Sequence, residues 1–324
     1  MKKAGRCDGG GVERTRYEWI WGGVLALSIA FSAASVAMAK PIRLGWQTPW
    51  ATQGQLVVSL KNTNIPELTG VELEYPGFSY GGPLNMAALA GEVDILLTAD
   101  QPALGRRSRT DKYSVVARMM YNRVCIYVPP GSPIRELSGL RGKQVLGPTG
   151  AAAERMALAA IQASGVALTD VRFGSLDMEQ QKALISRGTE DGGWRGADAR
   201  YGFDPLPAVF EVEGQARMLH CDNVVSVVLA SREMLTERRP ELERFLRAFA
   251  LSWHFFAQNP ALANRWFAEE ARLEVGDAVL DRCSAVEPNR QAKGLGDLRL
   301  GFVDADFALF EGAMRFLLER GIVK

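Results

Sequence analysis

The sequence predicts an α/β fold built from two strand–helix sets, and three features predict it. Between residues 42 and 97, strand and helix patterns alternate in the order strand–helix–strand–helix–strand, the signature of helices packed on a mostly parallel sheet. A second alternating set, from residue 143 to 186, lies between two extended apolar segments. Each set also places a glycine-rich turn between a strand and a helix, Gly77 to Gly82 in the first and Gly147 to Gly150 in the second.

The chain opens with a candidate leader. Lys2, Lys3, Arg6, Arg14 and Arg16 precede an uncharged stretch from Trp19 to Ala39 that ends Ala37-Met38-Ala39. A basic start, a short apolar core and small residues at the cleavage site describe a secretory signal peptide over residues 1–39. Its removal takes away five basic and three acidic residues, leaving 33 Lys+Arg against 34 Asp+Glu. Such a balance argues against non-specific nucleic-acid binding. Cys7 leaves with the leader, so Cys125, Cys221 and Cys283 are the exported set. With only His220 and His254 in the chain and no Cys-x-x-Cys, neither a metal site nor a cofactor is expected.

After the leader, residues 42–46 read as the first strand, 52–60 as a helix and 71–75 as an alternating strand. Pro83 suits the first turn of a helix that Gly91 ends, and 93–97 is a buried strand. Residues 123–128 and 223–230 are the two extended apolar segments. Between them, 143–146 and 171–173 read as strands, and 151–163 and 178–186 as helices. Beyond residue 230 the pattern is helical: Leu242, Phe245, Leu246, Phe249, Trp253 and Phe256 share one helix face, and Phe307, Phe310, Met314 and Leu317 another. Both stripes are expected to be core.

Three blocks carry a family resemblance: Asn85-Met86-Ala87-Ala88-Leu89-Ala90-Gly91-Glu92-Val93-Asp94, Leu137 to Gly150, and Met234 to Leu246 with Pro240-Glu241 inside it. In that order they resemble the type II periplasmic binding proteins, especially the nitrate/sulfonate/taurine family of ABC importers. The resemblance implies two lobes joined by two crossing strands: lobe one at 40–124 and 229–324, lobe two at 125–228. It implies a monomeric periplasmic protein that is not an enzyme, holds a small molecule between its lobes and passes it to the transmembrane subunits of an importer. The segment from Gly188 to Pro205 is stretched relative to the family, with Phe203 where Trp is commoner.

Helix starts offer free N–H groups to polar ligands, and open sheets bind ligands beyond the carboxyl ends of their strands. The candidate ligand contacts are therefore Gln47, Trp50, Ser79, Tyr80, Gly81, Asp100, Thr149, Gly150, Phe203 and Asp204. Trp46, Trp194 and Tyr201 add aromatic density beside these loops, which suits a small organic, anionic or zwitterionic ligand. A rival reading takes Gly77-Phe78-Ser79-Tyr80-Gly81 as a hydrolase nucleophile turn, with Asp204 and His220 following in triad order. For the crossing strands, an antiparallel pairing that sets Cys125 near Ser226 puts Cys221 roughly 16 Å away. No Cys125–Cys221 bridge is then expected.

Overall fold

A computed structural model describes residues 40–107, 111–186 and 194–323; the expected leader lies outside them. In chain order the strands are β1 (Ile42–Gln47), β2 (Leu73–Glu74), β3 (Gly77–Phe78), β4 (Ile95–Ala99), β5 (Tyr113–Val128), β6 (Gln144–Gly147), β7 (Arg172–Ser175), β8 (Ala199–Phe203) and β9 (Arg217–Ser231). The helices of the first half are α1 (Gln53–Asn62), α2 (Ile65–Thr69), α3 (Gly81–Leu89) and α4 (Asp100–Arg107), and those of the second are α5 (Ala152–Ala163), α6 (Met178–Ser186) and α7 (Leu206–Val212). The C-terminal run comprises α8 (Arg232–Thr236), α9 (Arg239–Gln258), α10 (Pro260–Glu270), α11 (Asp277–Ser284) and α12 (Asp304–Glu319).

The strands form one sheet in the order β2-β1-β4-β9-β5-β8-β6-β7, with β3 pairing β1 off this path. β1 runs parallel to β2, β3 and β4, and β6 runs parallel to β7 and β8. The two parallel halves are joined by the long antiparallel ribbon of β5 and β9, which pairs β4 at one end and β8 at the other. The fold is thus the expected one: mostly parallel sheets flanked by helices and joined by two crossing strands. The apolar stripe of α9 is core, with Leu242, Phe245, Phe249, Trp253 and Phe256 buried. On α12 the stripe is narrower than its pattern, because Phe307 is 52% exposed while Ala313 and Leu317 are buried.

The cysteine expectation is overturned. β5 and β9 are antiparallel, but Cys125 faces Cys221 directly, and Ser226 faces Met120. The two sulfurs are bonded, with Cα atoms 4.1 Å apart, and Cys283 is a buried free thiol. The apolar runs at 123–128 and 223–230 misled the register because each is only part of a longer strand. β5 also carries an extra residue at Val116 and at Met119, and β9 one at Leu219, and each bulge displaces everything beyond it.

At one of these irregularities Arg118 is fully buried. It donates from Nη1 and Nη2 to the two oxygens of Glu287 (3.0 and 2.7 Å) and from Nε to Asp306 (3.3 Å). Glu287 also accepts from the Tyr121 N–H (2.7 Å), and Asp306 accepts from Arg299 (3.0 Å) and the Val303 N–H (2.9 Å). Leu300 takes the Arg118 backbone N–H at 2.8 Å. The segment between α11 and α12 is thereby fastened to the crossing strand β5 by satisfied, charge-assisted bonds.

Candidate ligand-binding cleft

The two glycine-rich turns face one another. Tyr80 is extended and Gly81-Gly82-Pro83 begins α3; Gly150 adopts φ +81° and Ala151 is extended before α5. Only glycine takes that positive φ without steric cost. Between the turns lies a cavity of about 710 Å³ lined by Tyr80, Gly82, Gln101, Thr149, Gly150 and Glu154, with apolar surface from Met86, Leu89, Leu317 and Ile322. Pro102 also borders a smaller inner void of about 10 Å³, walled by Gln47, Trp50, Gly81, Ala99, Phe203 and the β5 and β9 residues Val124 and Val224. The outer volume is in the range of small-molecule sites, while the inner one holds about a single water.

Contacts across this junction hold it narrow. Asp100 at the start of α4 is ion-paired with Arg155 of α5 at 2.6 Å, and the Gln101 amide donates to the Gly150 carbonyl at 3.4 Å. Burial pushes the Asp100 carboxyl up, and the Arg155 guanidinium opposes it. The Trp50 and Phe203 rings meet at 5.4 Å, and the Ala51 N–H reaches the Asp204 carbonyl at 3.4 Å. On the far side Lys182 of α6 donates to the Ala271 and Arg272 carbonyls (3.0 and 2.7 Å). Every one of these contacts joins a residue of the first or last part of the chain to one between the crossing strands.

Buried polar atoms gather around the same junction without a protein partner. They are Trp50 Nε1, Thr98 Oγ1, Gln101 Oε1, Arg155 Nε, Ser226 Oγ and both side-chain polar atoms of Asn122. Asn122 lies directly opposite Val224 in the ribbon. Side chains alternate along a strand, so Asn122 shares its face with Val124, and Ser226 shares its face with Val224. Val124 and Val224 wall the inner void, so Asn122 and Ser226 put an amide and a hydroxyl on the same sheet face beside it, although neither lines the void itself. An unpaired buried polar group costs roughly 1–3 kcal/mol, so native proteins rarely keep one without a purpose.

The residues read from the sequence divide into three groups. Tyr80, Gly81, Thr149, Gly150, Trp50, Phe203 and Gln47 line the two voids. The side chains of Asp100 and Asp204 are committed elsewhere, the first to Arg155 and the second to Arg123 (2.8 and 3.1 Å) and to the Ala208 N–H (3.2 Å). Ser79 sits in the α3 turn but is absent from the lining of either void. Trp46 and Trp194 are buried core residues, Trp194 packed on Arg200 at 4.8 Å. Tyr201 lies across Gly147, where a Cβ would come within 2.3 Å of its ring. Residues 188–193 of the stretched segment lie outside the described residues. Sequence reading missed Asn122 and Ser226, although each is a polar residue inside an apolar strand.

The triad order of the rival reading does not become a triad. Asp204 is held by Arg123, and His220 faces Ile126 on β9, six residues before Ser226, where pairing with β4 ends. That is roughly 20 Å of strand. Among the described residues no group of three His, Cys, Asp or Glu side chains is placed to hold a metal ion. A surface groove of about 910 Å³ runs along residues 258–277, built from one continuous stretch of chain.

A family model described as NMT1/THI5 like matches residues 70–263. Solved structures share the fold. The alkanesulfonate-binding protein SsuA from Xanthomonas axonopodis pv. citri, bound to MOPS, is 18% identical with a TM-score of 0.70, covering 88% of this chain and 94% of that one. The periplasmic aliphatic sulphonate binding protein SsuA from Escherichia coli is 18% identical with a TM-score of 0.67, covering 87% and 88%. A Candida albicans gene product, CA3427, described as having the generic periplasmic binding protein fold, is 11% identical with a TM-score of 0.67, covering 88% and 91%. No curated protein matches the chain by sequence.

Proposed function

The chain belongs to the NMT1/THI5-like family; from that premise we propose that it is a solute-binding protein of the periplasmic type, not an enzyme, that captures a small organic, anionic or zwitterionic molecule between two lobes and delivers it to an ABC importer outside the cytoplasmic membrane. The lobes are residues 40–124 with 229–324, and residues 125–228. The reading rests above all on the two facing helix-start turns around the cavity and on the unpartnered Trp50, Asn122 and Ser226 atoms beside its inner end, which a ligand's polar groups would satisfy. The sulfonate-binding descriptions of two similar structures favour an organic acid over a bare inorganic ion. Among the described residues no helix is long and apolar enough to cross a membrane.

Recognition of this kind needs movement. The β5–β9 ribbon is the only covalent bridge between the lobes in this reading, so it serves as the hinge. Ligand touching both turns stabilises the closed form in proportion to its preference for that form.

A thermal-shift screen of organic acids and amino acids supplies a ligand, whose affinity is then measured on two variants. Asn122→Leu is expected to weaken binding roughly 2- to 12-fold, the worth of one ordinary hydrogen bond. The same change is expected to raise the melting temperature without ligand, because it removes an unsatisfied buried amide. Ser79→Ala is expected to leave affinity within the same small factor. Unchanged affinity in Asn122→Leu, together with ester or amide turnover abolished by Ser79→Ala, would sink the binding reading.

A further inference from the structure

The outer cavity has a carboxylate and a primary amide among its described lining residues. Among these described residues Glu154 is the one that carries a formal charge, and none is Lys, Arg or His. Gln101, 4% exposed, lines the same cavity, and its Oε1 is buried without a partner. Its orientation is not arbitrary: the amide nitrogen donates to the Gly150 carbonyl, so the oxygen has to be the end that turns away.

Glu154 also occupies the place where an anion would dock. A helix N-terminus attracts negative groups through its free N–H donors. At the start of α5 the Gly150 N–H already donates to Glu154 Oε2 at 2.6 Å, and the Ala151 N–H to the Pro148 carbonyl at 3.3 Å. The chain's own carboxylate thus fills this corner. Arg155, the next residue, is neutralised by Asp100. Arg320, whose charge reaches Glu154, stacks on Phe316 at 5.5 Å and is not among the cavity's lining residues. Among the described residues, an acid entering this cavity meets a carboxylate and an amide oxygen rather than a cation.

We propose that Glu154 is the specificity-determining residue of the cleft and that it recognises a protonated amine, held between its carboxylate and Gln101 Oε1. The assignment rests on the solute-binding reading and narrows its ligand from anionic or zwitterionic to amine-bearing. Any acidic end of the same molecule is left to the other wall, where Gly81 and Gly82 begin α3 with no acidic residue in the first turn.

The test uses matched probes on the exported chain: taurine against ethanesulfonate, and β-alanine against propionate. Each pair shares its acid and differs in the ammonium group. In the wild type each amine is expected to bind at least tenfold more tightly than its partner, the lower end of the worth of a charge-assisted hydrogen bond. Glu154→Gln, which keeps the shape of the half-exposed side chain, is expected to weaken the amines roughly 10- to 100-fold. It is expected to leave ethanesulfonate and propionate unchanged or improved. Glu154→Asp is expected to keep part of the amine preference. Equal binding within each pair, an amine preference that survives Glu154→Gln, or no response to either amine would overturn the assignment. Ethanesulfonate binding to wild type as well as taurine, with compaction, would overturn it while leaving the solute-binding reading standing.

Discussion

Replacing Cys125 and Cys221 together by alanine is expected to lower the unfolding free energy by about 4–5 kcal/mol. The bridge spans 96 residues of sequence, and closing a loop near 100 residues removes about 4.7 kcal/mol of chain entropy from the unfolded state. Denaturant unfolding of the wild type, with and without reductant, and of the double variant measures this loss. Peptide mapping under non-reducing conditions is expected to recover one Cys125–Cys221 linked pair and an unlinked Cys283. Unchanged stability on reduction, or a bridge to Cys283, would show that β5 and β9 are not in this register. The bridge sits inside the proposed hinge, so it fixes the two strands to each other without tying either lobe to the other. Reduction should therefore cost stability far more than ligand affinity.

The second large effect belongs to Arg118. Arg118→Met is expected to destabilise by about 3–5 kcal/mol, because it leaves Glu287 and Asp306 buried without their shared cation. Adding Glu287→Leu should recover part of that loss, since removing both partners strands fewer charges than removing one. A double variant less stable than Arg118→Met by the full cost of a second independent lesion would mean that the two residues are not coupled. The network joins the segment before α12 to β5, so its loss should also expose that segment to proteolysis before the rest of the chain unfolds.

Much of the fold was legible because it rests on local signals. Strand and helix alternation gave both parallel sets, and the face of α9 was read correctly from Leu242 to Phe256. Long-range pairing was not legible in the same way. The register of Cys125 depended on bulges near Val116 and Met119 that no periodicity announces. Asp100 and Asp204, read as ligand contacts, lie at the junction, but their partners, Arg155 and Arg123, lie 55 and 81 residues away in sequence. Nothing local shows that the two carboxylates are already paired. Asn122 and Ser226 did carry a signal, a polar side chain inside Met119-Met120-Tyr121-Asn122 and Val224-Val225-Ser226-Val227. In a strand buried on both faces such a residue either finds a partner within the protein or waits for one from outside. Nor does the sequence show that the Glu154 carboxylate, one turn into α5, folds back onto the Gly150 N–H.

The proposed function requires two lobes to close on a solute about the β5–β9 ribbon without transforming it. Small-angle X-ray scattering tests this most directly, before and after addition of the compound that most raises the melting temperature, on wild type and Ser79→Ala. A smaller radius of gyration with ligand is expected in both proteins, with the ligand recovered intact. An unchanged radius in the wild type, with the compound consumed and its consumption lost in Ser79→Ala, would contradict it.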